Sequence, residues 1–179
     1  MARVPYNAGK GGTGDIRDTD KLVKALNDPN IDSFKIDDTE VTATASEINQ
    51  HCDESANVET VTTTNVITAA ESGKTFILNS ATAFVSTLPP KAAGLRYKFY
   101  GGATGVTGGN HTIVCTNDDN TIHGQCMVAG ALVAAADEGS INLVADKWLN
   151  GDYIEVFNDG VAWHVSGMVV TSGGCTFTT

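Results

Sequence analysis

Residues 151–167, GDYIEVFNDGVAWHVSG, join two alternating apolar and polar runs at Asp159-Gly160, a dipeptide suited to a two-residue β-hairpin turn. Pairing Asn158 with Val161 sets the register: Val156 opposite Trp163 and Ile154 opposite Val165 on one face, Glu155 opposite His164 and Tyr153 opposite Ser166 on the other. One face is apolar and the other is wet. An isolated half-buried hairpin is marginal in water, so this one has to close over further strands.

Candidates for those strands lie upstream at short spacing. Val58–Thr68 is rich in threonine and valine; Lys74–Asn79 and Ala83–Leu88 follow, the latter stopped by Pro89-Pro90. Arg96–Tyr100 alternates, with Tyr97 and Phe99 on one side. Beyond a glycine-rich loop, His111–Thr116 runs to a turn at residues 117–120 and Thr121–Val128 returns. Ser140–Ala145, the hairpin, Met168–Val170 and Cys175–Thr178 complete about ten strands at the spacing of an all-β domain. The expectation is an antiparallel β-sandwich or barrel over residues 58–179.

Residues 1–57 read differently. Residues 1–18 have no hydrophobic period and place four glycines between Gly9 and Gly14, which is the composition of an extended arm needing a partner to hold it. Gly9-Lys10-Gly11-Gly12-Thr13-Gly14 is not a phosphate-binding loop: Asp15 follows the last glycine and no strand precedes the first. A short helix is expected over Asp18–Asn27, with Leu22, Val23 and Leu26 on one face. A second begins at the capping box Thr44-Ala-Ser-Glu47 and puts Ile48 and Cys52 on one stripe. Between them Ser33–Val41 reads as extended.

The 179 residues carry a formal charge of -10, which opposes nucleic-acid binding. The charge is uneven: residues 1–27 hold five basic side chains against three acidic, a net +2, and the remainder holds -12. No apolar run is long enough to span a membrane and no secretory pattern opens the chain, so synthesis in a cytoplasm and free, buried thiols at Cys52, Cys115, Cys126 and Cys175 are expected.

Chemistry is sparse. His111 and Cys115 share a strand face, and with His123 and Cys126 on the returning strand they offer soft ligands, but the spacing matches no zinc knuckle and no metal is expected. The acidic pairs Asp118-Asp119 and Asp137-Glu138 show no calcium-ligand pattern. No Gly-x-Ser-x-Gly or His-Glu-x-x-His motif is present, and His164 facing Glu155 lacks a nucleophile, so neither an enzyme nor a cofactor is expected. Tyr97, Tyr100, Trp148 and Tyr153 leave room for sugar stacking, although core packing is the commoner fate of such rings.

Three segments carry a resemblance. Thr42-Ala-Thr-Ala-Ser-Glu-Ile-Asn-Gln50 resembles the T-A-x-E-I-N segments of phage capsid-decoration and fibre proteins. Residues 67–88, ITAAESGKTFILNSATAFVSTL, with residues 151–167, resemble a β-domain of phage head and fibre proteins, and Asn7–Gly14 resembles their glycine-rich arms. The resemblance implies a non-enzymatic virion protein of tailed bacteriophages, trimeric, assembled in the host cytoplasm and sited on the capsid exterior. Its arm, residues 1–57, would dock on the major capsid protein or another virion protein. Arg3, Tyr6, Arg17, Lys21, Leu22, Leu26 and Ile48 are the expected contacts with the shell or a neighbouring subunit. The alternative is a head or tail fibre that binds host glycans.

Overall fold

The two strands of the 151–167 region form as expected, in a register offset by two residues. In a computed structural model that describes residues 35–36, 39–40, 42, 48, 54–116 and 119–179, Asn158 pairs with Trp163, Val156 with Val165, Glu155 with Ser166 and Tyr153 with Met168. The expected pairing of Val156 with Trp163 is therefore wrong. Because strand side chains alternate with a period of two, an offset of two leaves each residue on its intended face, and Trp163 is buried. The cause is the turn. Asp159 Oδ1 accepts hydrogen bonds from Val161 N and Ala162 N, both at 2.8 Å, and Asn158 Oδ1 accepts one from Gly160 N at 2.8 Å. These side-chain bonds hold a four-residue loop where a two-residue turn was expected.

The chain divides into two units, residues 1–45 and 46–179. In the first, β1 (Lys35–Ile36) and β2 (Thr39–Glu40) pair antiparallel, within the segment expected to be extended. The helices expected at residues 18–27 and 44–52 lie outside the described residues, except that Ile48 is described and is exposed.

The second unit contains β3 (Val58–Val61), β4 (Asn65–Val66), β5 (Thr75–Leu78), β6 (Thr82–Thr87), β7 (Arg96–Gly101), β8 (Gly108–Val114), β9 (Ile122–Val128), β10 (Ala131–Glu138), β11 (Ser140–Leu143), β12 (Tyr153–Asn158), β13 (Trp163–Val169) and β14 (Cys175–Thr178). A seven-stranded sheet has the order β10-β9-β13-β12-β7-β5-β3, and a five-stranded sheet β14-β11-β8-β6-β4. Both contribute to one hydrophobic core: Phe76, Tyr97, Phe99, Ile154, Val156 and Trp163 from the larger sheet meet Phe84, Ile113, Ile141 and Leu143 from the smaller. Each such side chain, fully buried, contributes about 1.5–3 kcal/mol before the entropy of ordering is subtracted. The unit is mostly β, built from two sheets.

The sheets are mixed, which corrects the expectation of an antiparallel arrangement. From β3 to β8 the chain changes sheet after every strand, so each return to a sheet runs in the original direction. As a result β3, β5 and β7 are mutually parallel, and so are β4, β6 and β8. The antiparallel pairs β9–β10 and β12–β13 come later, where hairpins keep the chain within one sheet. The expected return of β8 into β9 as a hairpin is likewise absent, since those strands belong to different sheets.

Strand β10 was not expected from the sequence. Its hairpin with β9 turns at Ala129-Gly130, both at positive φ (51° and 84°), with Val128 opposite Ala131. Met168–Val169, expected as part of a separate strand, continues β13.

Candidate binding face

The outward side of the seven-stranded sheet is organised in rows that follow from strand register. Side chains opposite one another on adjacent strands stand about 4.5–5.5 Å apart, so paired positions form lines across the sheet. The first line runs Leu132, Met127, Met168, Tyr153, Tyr100, Ile77, through six neighbouring strands. All six are apolar or aromatic. Leu132 is 62% exposed, Met168 51% and Met127 38%, whereas Tyr100 and Tyr153 are half-buried because their rings stack at 5.5 Å.

The second line is polar: Gln125, Ser166, Glu155, Lys98, Thr75. Lys98 Nζ lies 2.8 Å from Glu155 Oε1, and this bond raises the Lys98 pKa. Both partners are solvated, so the pair adds little stability.

The third line places His123, His164, Phe157 and Arg96 side by side. The Arg96 guanidinium sits 5.0 Å from the Phe157 ring centre, and His164 stacks on that ring from the neighbouring strand at 6.1 Å. His164 Nε2 is 3.0 Å from Asp159 Oδ2, and His123 Nε2 is 3.4 Å from Asp137 Oδ1. Among the described residues Arg96 has no carboxylate partner. The second and third lines enclose a depression of 380 Å³ lined by Arg96, Lys98, Glu155, Phe157, His164 and Ser166, with Tyr97 and Val156 at its floor.

The expected contact residues Arg3, Tyr6, Arg17, Lys21, Leu22 and Leu26 lie outside the described residues; Ile48 is 41% exposed. The soft ligands do not converge. His111 is buried with its ring 3.9 Å from that of Phe84 and Nε2 3.2 Å from Thr82 O, and burial lowers its pKa, so it is neutral at pH 7. His123 points outward from β9, while Cys126 points into the core beside Cys175. Cys115, Cys126 and Cys175 are free and buried. His164 faces Phe157 rather than Glu155, a consequence of the register offset. Of the aromatic residues considered for sugar stacking, Trp148 and Tyr97 belong to the core, and Tyr97 donates its hydroxyl to Thr68 O at 3.0 Å. Only Tyr100 and Tyr153 reach the surface.

Arg96, Phe157, Met127, Leu132 and Met168 were not singled out by sequence. Alternation assigns each to a wet face, but only the pairing of strands distant in sequence aligns them. A comparison of the chain with models of protein families and with curated proteins found no match.

Proposed function

We propose that the protein is a non-enzymatic structural component of a tailed-bacteriophage virion, a capsid decoration protein whose first unit docks on the shell and whose β-sandwich lies outside it. The resemblance of residues 42–50, 67–88 and 151–167 to phage decoration and fibre proteins suggests the class. The observation that carries the reading is the apolar line Leu132–Met127–Met168–Tyr153–Tyr100–Ile77 on an otherwise water-facing sheet. A contiguous exposed apolar feature of this length marks a contact surface.

Its occupant in this proposal is a second copy of the chain. The outward side of the sheet carries Arg96 and Lys98 against Glu155, with Asp137 beside His123 and Asp159 beside His164, on a chain whose net charge is -10. In a cyclic trimer the face of one copy meets a different surface of the next. Several first units in one trimer then bind the shell together, so modest contacts of each combine.

The test has two arms. Light scattering of the full chain should give three times 18.7 kDa, and Met168→Glu should reduce it to the mass of one chain. The full chain should decorate expanded heads that lack it, and a chain without residues 1–45 should not. A monomeric full chain, or heads left bare by it, overturns the reading. A head or tail fibre that binds host glycans is the second reading, favoured by the Arg96–Phe157–His164 line.

A further inference from the structure

We infer that the depression between the second and third lines binds an acidic saccharide, a pyranose bearing one carboxylate. The proposal deepens the glycan-binding reading of this face and does not depend on where the protein sits in a particle.

The chain has 21 acidic side chains against 11 basic, so a cation without an acid beside it is unexpected on its surface. Arg96 is such a cation among the described residues. Its guanidinium is held against Phe157, which fixes it at the rim of the depression without neutralising it. A planar guanidinium matches a carboxylate in two-point hydrogen bonding, and an aromatic-backed one has already given up part of its side-chain freedom.

The rest of the lining suits a hydroxylated ring. The Ser166 hydroxyl has no partner among the described residues. Glu155 engages Lys98 through Oε1, which leaves Oε2 to accept from a sugar hydroxyl, and Lys98 has further donors. The 380 Å³ volume is in the range of small-ligand sites. Extended polyanions are disfavoured, because the molecule as a whole, at a net charge of -10, repels them. The apolar line lies two residues, about 7 Å, from the second line and four residues, about 13 Å, from Arg96, Phe157 and His164, so the cationic end of the depression is the part farthest from a subunit seated there.

The experiment is saturation-transfer NMR and calorimetry on the full chain with a glucuronate-terminated trisaccharide. The same trisaccharide with its carboxyl reduced to an alcohol, and inorganic phosphate as a competitor, serve as comparisons. The acidic sugar should bind at least tenfold more tightly than its reduced form, and phosphate should not displace it at equal concentration. Arg96→Ala and Phe157→Ala should each lose tenfold or more. Ser166→Tyr, which adds bulk on the exposed side of β13, should fill the depression and abolish binding with the circular dichroism spectrum unchanged. Equal binding of the two sugars, displacement by phosphate, binding untouched by Ser166→Tyr, or no binding at millimolar sugar overturns the proposal. None of these outcomes bears on head decoration, so this inference and the virion reading fail separately.

Discussion

Asp159 Oδ2 lies 3.0 Å from His164 Nε2 across the mouth of the β12–β13 hairpin, while Oδ1 of the same carboxylate accepts the backbone N–H groups of Val161 and Ala162. The bond from Ala162, then the one from His164 and the one from Val161, hold the Asp159 pKa well below the ordinary carboxylate range. A depressed folded-state pKa stabilises the fold above the unfolded value, about 4, and that contribution is lost as pH falls through the folded value. The urea midpoint should therefore drop in acid below about pH 4, and Asp159→Asn should flatten part of that drop. Parallel acid limbs for the two proteins would show that the turn carboxylate is not a source of acid sensitivity.

Asp152 makes a second carboxylate clamp, this one buried. Its Oδ2 accepts from Leu149 N at 2.8 Å and its Oδ1 from Val170 N at 2.9 Å, so one side chain ties the loop before β12 to the end of β13. Asp152→Ala leaves two backbone donors without partners, and the expected loss is about 2–6 kcal/mol, at about 1–3 per orphaned group. Chemical denaturation measures it. A loss under about 1 kcal/mol would mean that water replaces the carboxylate readily.

What the sequence revealed follows from which interactions are local. Trp163, Val156 and Ile154 could be assigned to the core because alternation alone fixes the face, even with the register two residues out. The bounds of β14 were legible for the same reason. Strand β10 was not, because Ala131, Ala134, Ala135 and Ala136 carry little β-propensity and its turn, Ala129-Gly130, lacks the usual Asn-Gly or Asp-Gly signal. The parallel pairing of β3, β5 and β7 depends on how the chain crosses between sheets, which no single strand records. The binding face was hidden by the same cause: Met127, Met168 and Tyr100 become neighbours only through pairings such as β9 with β13.

The turn that obscured β10 also stores strain. Ala129 adopts φ 51°, a region that costs an L-residue roughly 1–2 kcal/mol. Asparagine tolerates that conformation better and completes the favoured Asn-Gly pair. Ala129→Asn should stabilise the protein by about 0.5–1 kcal/mol, visible as a higher melting temperature. An unchanged or lower value would refute the strain assignment.

Three of the thiols give a chemical readout of the core. Cys115 is buried at the edge of the cleft formed by Pro89, Pro90, Lys91, Asp119 and Trp163, and burial raises its pKa. Cys175, hydrogen-bonded to Cys126 and buried, is also held above the ordinary thiol range. Thiolate is the reactive form, so Cys115 and Cys175 should resist a thiol reagent in the native protein at pH 8, while Cys126, whose pKa the bond with Cys175 lowers, is shielded by its complete burial. Unfolding without reductant should release all three, as mass spectrometry of labelled peptides would report; oxidised Cys126 and Cys175 in freshly purified protein would contradict the free state.

Gly124 tests the parallel pairing of β9 with β13 directly. It sits at φ 124°, and a Cβ there would lie 2.2 Å from Val165 O, a backbone atom of the neighbouring strand that has no rotamer by which to retreat. Gly124 occupies the position opposite Val165 in the register that also aligns His164 with His123 and Met168 with Met127. Relief of the clash requires the strands to separate, which breaks the ladder and shifts the lines of the outer face. Gly124→Ala should therefore destabilise by about 3 kcal/mol or more, in the range where a single substitution leaves a marginal domain largely unfolded. Gly130→Ala is the control: its φ of 84° is also positive, but nothing lies within 4 Å of its added Cβ, so only backbone strain of about 1–2 kcal/mol is expected. Denaturation curves for the two variants should separate clearly. Equal losses would mean that Gly124 is required for its backbone angle alone, and that β13 does not approach β9 as closely as the pairing demands.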